Sequence, residues 1–253
     1  MGAKRSGLIH GSISSIVIGA FFTLALSCGA DKADLRVMAA ASLSEAFLDI
    51  SEAFENETGV KITLYTAGSS TLATQITEGA LADVVGLANE ETMERVKNSG
   101  RIATGTEIKI FATNHLVLVT PNGNPASITS FADLSDAVVA VCAPAVPCGS
   151  LSYTFSDMEK MSLEPASVEP NVRSVRTKVQ LGEVDAGLIY ITDITPELEV
   201  IDIPRLDSLQ TNYPITALKP GKLAAQDFIN FVLSSSGQSI LAQYGFGAGH
   251  ESE

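Results

Sequence analysis

The chain has 253 residues, 45% hydrophobic and 18% charged, which is enough apolar material for one or two globular domains and too much for intrinsic disorder. With 16 Lys+Arg against 29 Asp+Glu the formal net charge is −13 and no basic run exists, so a phosphate-tracking nucleic-acid groove is excluded. Zero Trp and 6% aromatics also leave few platforms on which bases could stack.

Residues 1–28 have the pattern of a secretion signal: Lys4 and Arg5, an apolar stretch over 13–26, then small residues around Cys28. The stretch falls short of the roughly 20 apolar residues that span a bilayer. Ala25-Leu26-Ser27-Cys28 resembles the lipobox of bacterial lipoproteins, with Ala25 where Leu is usual. Cys28 is therefore the expected lipidation site, and the expected location is exported, periplasmic or cell-surface, with a lipid anchor as the membrane link. Export bears on Cys142 and Cys148, which flank Ala143-Pro144-Ala145-Val146-Pro147. An oxidising compartment permits a disulfide there, and the prolines stiffen a loop too short for regular structure; two buried free thiols are the alternative.

From residue 34 short apolar runs alternate with helical periodicity. A strand is expected over 35–41, followed by a helix whose face carries Leu43, Ala46, Phe47, Ile50 and Phe54 and which ends at Gly59. Ser42 and Glu45 have the spacing of a capping box for it. A strand over 61–66, a helix over 71–78 ending at Gly79, a strand over 82–87 and a helix over 90–98 stopped by Gly100 complete a βαβαβα pattern, the signature of a mostly parallel sheet with covering helices. A strand over 114–120 runs into the turn Pro121-Asn122-Gly123-Asn124-Pro125. The alternation then restarts, with strands over 137–141, near Val168 and over 186–191, and helices over 150–161 and 172–181. Residues 200–203, a strand over 213–218 and helices over 223–233 and 238–244 close the chain. No repeat of fixed period is present, which excludes a solenoid. The fold class expected is α/β, with lobe 1 formed by 34–113 plus 213–253, lobe 2 by 114–212, and a ligand cleft between them.

Several chemistries have no residues to run on. His10, His115 and His250 are dispersed, so no clustered Cys/His zinc site is available. No P-loop, Gly-x-Gly-x-x-Gly or Gly-x-Ser-x-Gly motif occurs where it would act. An exported hydrolase pairing Cys148 or Ser69 with His115 is the remote enzymatic alternative. The leading expectation is a protein without catalytic residues, cofactor or directly bound metal.

The sequence does supply helix starts. Ala39-Ala40-Ala41-Ser42, Ala67-Gly68-Ser69-Ser70-Thr71, Val146-Pro147-Cys148-Gly149-Ser150 and Glu169-Pro170-Asn171-Val172-Arg173 each put small or hydroxyl residues just before a helix. Such junctions leave free backbone N–H groups at a positive dipole end. Ordinary capping explains any one of them. Gathered at one cleft, they make an anion site from neutral donors.

Ala39-Ala40-Ala41-Ser42-Leu43, the run Ser69-Ser70-Thr71-Leu72-Ala73-x-Gln75-Ile76-x-x-Gly79-Ala80-x-Ala82-Asp83, then Gly187-Leu188-Ile189-Tyr190-x-Thr192-Asp193 and Tyr244-Gly245-Phe246 resemble the molybdate-binding proteins of bacterial ABC importers, in order and at family spacing. The resemblance implies a two-lobed, type II periplasmic-binding-protein fold that closes on a tetrahedral oxyanion, molybdate or tungstate, and hands it to a membrane permease. It implies a ligand set of Ser42 and Ser69 through hydroxyl and amide, Cys148 and Val172 through backbone N–H, and Tyr190 through its phenol. Departures from the family pattern are Cys148, where Ala is usual, Leu81 in place of Pro, and Gly86 and Asn89. Arg173 is expected to be structural or on the cleft rim. A binding protein for sulfate or another tetrahedral oxyanion is the second reading, and a monomer is the expected state. Molybdate carries no proton at pH 7, so a pocket of donors suits it, whereas phosphate keeps a proton that needs an acceptor.

Overall fold

The computed structural model describes residues 1–2 and 34–249. Residues 3–28 of the expected signal, with His10 and Cys28, and the tail carrying His250 lie outside the described residues.

The first half of the fold alternates strand and helix: β1 (Leu35–Ala40), α1 (Ser44–Thr58), β2 (Ile62–Ala67), α2 (Ser69–Thr77), β3 (Val84–Gly86) and α3 (Glu90–Asn98). β1 pairs in parallel with both β2 and β3. α1 forms because Ala46, Phe47, Ile50 and Phe54 share a buried face, and it stops at Gly59 in a left-handed conformation. The capping box expected from Ser42 and Glu45 is not formed. Residues Ala41–Leu43 make a single 3₁₀ turn ahead of α1, neither segment has a side-chain cap, and both side chains are engaged elsewhere.

The long strand β4 (Lys109–Pro121) joins the two halves of the sheet. It leads into β5 (Val139–Cys142), α4 (Pro147–Glu159), β6 (Ser167–Glu169), α5 (Val172–Gln180), β7 (Ala186–Tyr190) and β8 (Leu198–Ile201). The chain then returns through β9 (Gln210–Ala217), α6 (Leu223–Leu233), α7 (Ser235–Gln243) and the short β10 (Gly247–Ala248). β5 pairs in parallel with β6 and β7. β4 is antiparallel to β9 over its first half and to β7 and β8 over its second. The strand order is therefore β2-β1-β3-β9-β4-β7-β5-β6, two parallel groups joined by two antiparallel strands, with helices on the faces.

Apolar side chains gather on both sides of this junction. Leu116, Val141, Phe155, Val175 and Ile189 belong to one cluster; Val37, Phe47, Phe111, Tyr213 and Phe228 belong to another, built from tilted and edge-on rings with centroids 5.6 Å apart for Phe47 and Phe111 and 6.2 Å for Phe47 and Phe228. α5 lies close on β7 because Gly187 has no side chain: a Cβ there would sit 2.7 Å from Val175 and 2.8 Å from Val179. α4 begins at Pro147, three residues ahead of the expected start, because Pro is pre-organised for a first helical position and has no N–H to lose.

Candidate functional site

Ser42, Ser69, Cys148, Val172 and Tyr190 line one small cavity. Each arrives on a different element. Ser42 sits in the 3₁₀ turn after β1, Ser69 opens α2 after Gly68, Cys148 follows Pro147 at the start of α4, Val172 opens α5 after Asn171, and Tyr190 ends β7. The starts of three helices thus meet at the cavity wall. The first amides of a helix have no acceptor within it. Away from the cavity such amides are served by side chains: Asn89 accepts from Thr92 at α3 and Ser234 from Gly237 at α7. At α2 and α4 no side chain caps the helix, and at α5 Asn171 accepts from the amide of Ser174, beyond Val172.

The side chains at the wall are also arranged as donors. Ser69 Oγ accepts from the Ala88 amide at 3.0 Å, so its own proton is not used in that bond. The Tyr190 hydroxyl is fully buried, with the Tyr213 hydroxyl beside it but no hydrogen bond of good geometry. Burial, then the neighbouring Tyr213 and Asp193, holds its proton on well above the usual phenol range. No charged side chain lines the cavity. Helix-start amides and hydroxyls at an uncharged wall suit an anion that carries no proton, and any hydroxyl of a protonated anion left unpaired there would cost roughly 1–3 kcal/mol.

The charges lie behind the wall. Asp193 is buried, its carboxyl raised to about 6 by burial, against which the guanidinium groups of Arg176 and Arg173 act. Arg176 is 3.8 Å from it, and Asp193 Oδ2 has no hydrogen bond. Arg173 does not line the cavity. From α5 its Nε donates to the Ala41 carbonyl at 2.7 Å, and its guanidinium pairs with Glu45 of α1. On the other flank Ser70 Oγ donates to the Ala145 carbonyl at 2.5 Å. Gly68 lies so close to Pro170 that a Cβ would strike its carbonyl oxygen.

Cys142 and Cys148 are joined by a disulfide with Cα atoms 5.7 Å apart, which ties the start of α4 to the end of β5. His115 lies in β4 and does not line the cavity, so neither Cys148 nor Ser69 is offered it as a base there. Among the described residues no group of His, Cys, Asp and Glu could hold a metal ion, and no helix is long and apolar enough to cross a membrane.

Sequence reading missed the layer behind Ser42. Tyr213 Oη lies 2.8 Å from Ser42 Oγ, and Asn114 Nδ2 donates to Tyr213 at 3.3 Å. These contacts span 171 and 99 residues and depend on sheet register, which local motifs do not encode. The one signal was chemical: Asn114 is a polar residue in an apolar strand.

Residues 35–247 match the family model described as bacterial extracellular solute-binding protein. The molybdate-binding protein ModA of Mycobacterium tuberculosis is 40% identical over 218 residues, 83% of this chain and 83% of that protein. Among solved structures, the Azotobacter vinelandii periplasmic molybdate-binding protein superposes with a TM-score of 0.68 at 16% identity, covering 84% of this chain and 98% of that one. The sulfate-binding protein SubI of Mycobacterium tuberculosis superposes with a TM-score of 0.69 at 17% identity, covering 85% and 86%. The shared architecture is thus common to proteins named for different tetrahedral ions, and the choice of ion falls to the cavity wall.

Proposed function

The chain belongs to the bacterial extracellular solute-binding protein family, and on that premise we propose that it is the molybdate receptor of an ABC importer, taking tungstate as well. The observation that carries this reading is the buried Tyr190 hydroxyl, without a well-formed hydrogen bond, at an uncharged cavity wall of helix starts and serine hydroxyls. A buried hydroxyl without a partner costs free energy, and a bound oxyanion supplies the missing acceptor. The 40% identity to a protein named for molybdate points to the same ion.

In this reading Ser42, Ser69 and Tyr190 donate through hydroxyls, and the amides of Ser42, Ser69, Cys148 and Val172 donate from the backbone. Residues 34–113 with 213–253 form one lobe and 114–212 the other, closing over the ion. The protein performs no chemistry and needs no cofactor: it is an exported monomer, periplasmic or held at the surface by lipid on Cys28, and it gives the ion to a membrane permease.

Thermal unfolding with added anions tests it, because a ligand that binds only the folded state raises the midpoint by mass action. Molybdate and tungstate are expected to raise it most, sulfate less and phosphate least. An equal rise with sulfate would transfer the assignment to a broader oxyanion receptor, and no rise with any of them would remove it.

A further inference from the structure

The hydrogen bond between Ser42 and Tyr213 has two possible directions, and the residues behind it decide between them. Asn114 Oδ1 accepts from the His115 amide at 2.9 Å. An amide nitrogen could not do so, so Nδ2 is fixed toward the other side. There both its protons are used, one on Thr192 Oγ1 at 2.9 Å and one on Tyr213 Oη at 3.3 Å. The Tyr213 oxygen is therefore an acceptor, and its proton must find a partner in a fully buried setting. Of the two hydroxyls beside it, Ser42 Oγ at 2.8 Å stands in good hydrogen-bond geometry and Tyr190 Oη does not, so Ser42 is the partner. With an incoming proton on its oxygen, Ser42 turns its own toward the cavity.

We infer that Asn114 and Tyr213, neither of which lines the cavity, form a relay that fixes Ser42 as a donor and so sets the preference of the site for oxyanions without a proton. They are positioning residues acting through Ser42. The inference rests on the cavity being the anion site. Without the relay the Ser42 hydroxyl is free to turn and accept, which weakens its bond to a proton-free anion and gives a protonated one the acceptor it lacks. Sulfate and phosphate are close in size and differ in the proton phosphate keeps at pH 7, so their relative affinity isolates this effect from pocket radius.

The test is calorimetric titration of the wild-type protein, Tyr213→Phe, Asn114→Leu and the double variant with molybdate, and with sulfate and phosphate by displacement of molybdate. Each single variant is expected to weaken molybdate about 3- to 10-fold, the effect of one hydrogen bond. Each is also expected to narrow the sulfate-over-phosphate preference by a similar factor. The double variant is expected to be no weaker than the worse single one, because an amide without the phenol has nothing to orient. If one variant fails to fold, the other still reports the ratio. Variants that weaken all anions equally, or that leave the ratio unchanged, would overturn the relay. A wild-type protein that binds no anion would overturn the site reading itself, and the relay with it.

Discussion

Tyr190 shows how a single residue can carry opposite demands. Its ring belongs to a buried apolar cluster, and its centroid lies 6.1 Å from that of Tyr213, while its hydroxyl has no well-formed hydrogen bond. Tyr190→Phe should therefore leave the ligand-free midpoint unchanged or slightly higher, yet weaken molybdate about tenfold or less, a pattern that paired unfolding and titration experiments would detect. Asp193 presents the reverse case, a charge that folding disfavours. Its raised folded value means that stability is fullest below the ordinary carboxylate value of 3.8 and is lost as pH rises through about 6. Between pH 4 and 7 the wild type should lose stability relative to Asp193→Asn, as read by denaturant titration across that range. A constant difference would show that Asp193 does not titrate there.

At the scale of elements, local chemistry was the readable part. The 3.6-residue spacing of Phe47, Ile50 and Phe54 announced α1, and small and hydroxyl residues marked the helix starts that now face the cavity. Boundaries were lost where a residue type misled. Pro147 reads as a breaker and begins α4, and Ser42 with Glu45 reads as a cap although tertiary partners claim both side chains. β4 extends back to Lys109 because β9 lies beside it, a pairing set by residues more than 90 positions away. The disulfide is likewise an element-scale device, since it holds the first turn of α4 against β5. Replacing Cys142 and Cys148 by Ser should cost about 2 kcal/mol by loop-closure scaling and weaken anion binding several-fold, with the Cys148 amide no longer pinned. Denaturant unfolding gives the first quantity and titration the second.

At the scale of the molecule, two contacts bridge the elements on either side of the cavity. Arg173 joins α5 to Ala41 and Glu45, and Ser70 reaches Ala145. If the two lobes move as proposed, Arg173→Met removes charge-assisted bonds made only in the closed form. The closed population falls, and molybdate affinity falls with it, by about tenfold, since apparent affinity scales with the competent fraction. X-ray scattering of the ligand-free variant should show a larger radius of gyration than the wild type; equal radii would show that Arg173 does not hold the closed form. The net charge of −13 bears on none of this directly. Surface acids are screened over roughly 8–10 Å in physiological salt, so a small ion inside an uncharged wall answers to its nearest donors.

The cavity wall selects, in this reading, a tetrahedral anion with no proton. Calorimetric titration of the wild-type protein with molybdate, sulfate and phosphate at pH 7 tests it most directly. One molybdate per chain is expected, bound more tightly than sulfate, with phosphate weakest. Phosphate binding as tight as molybdate, or no heat from any of the three, would contradict it.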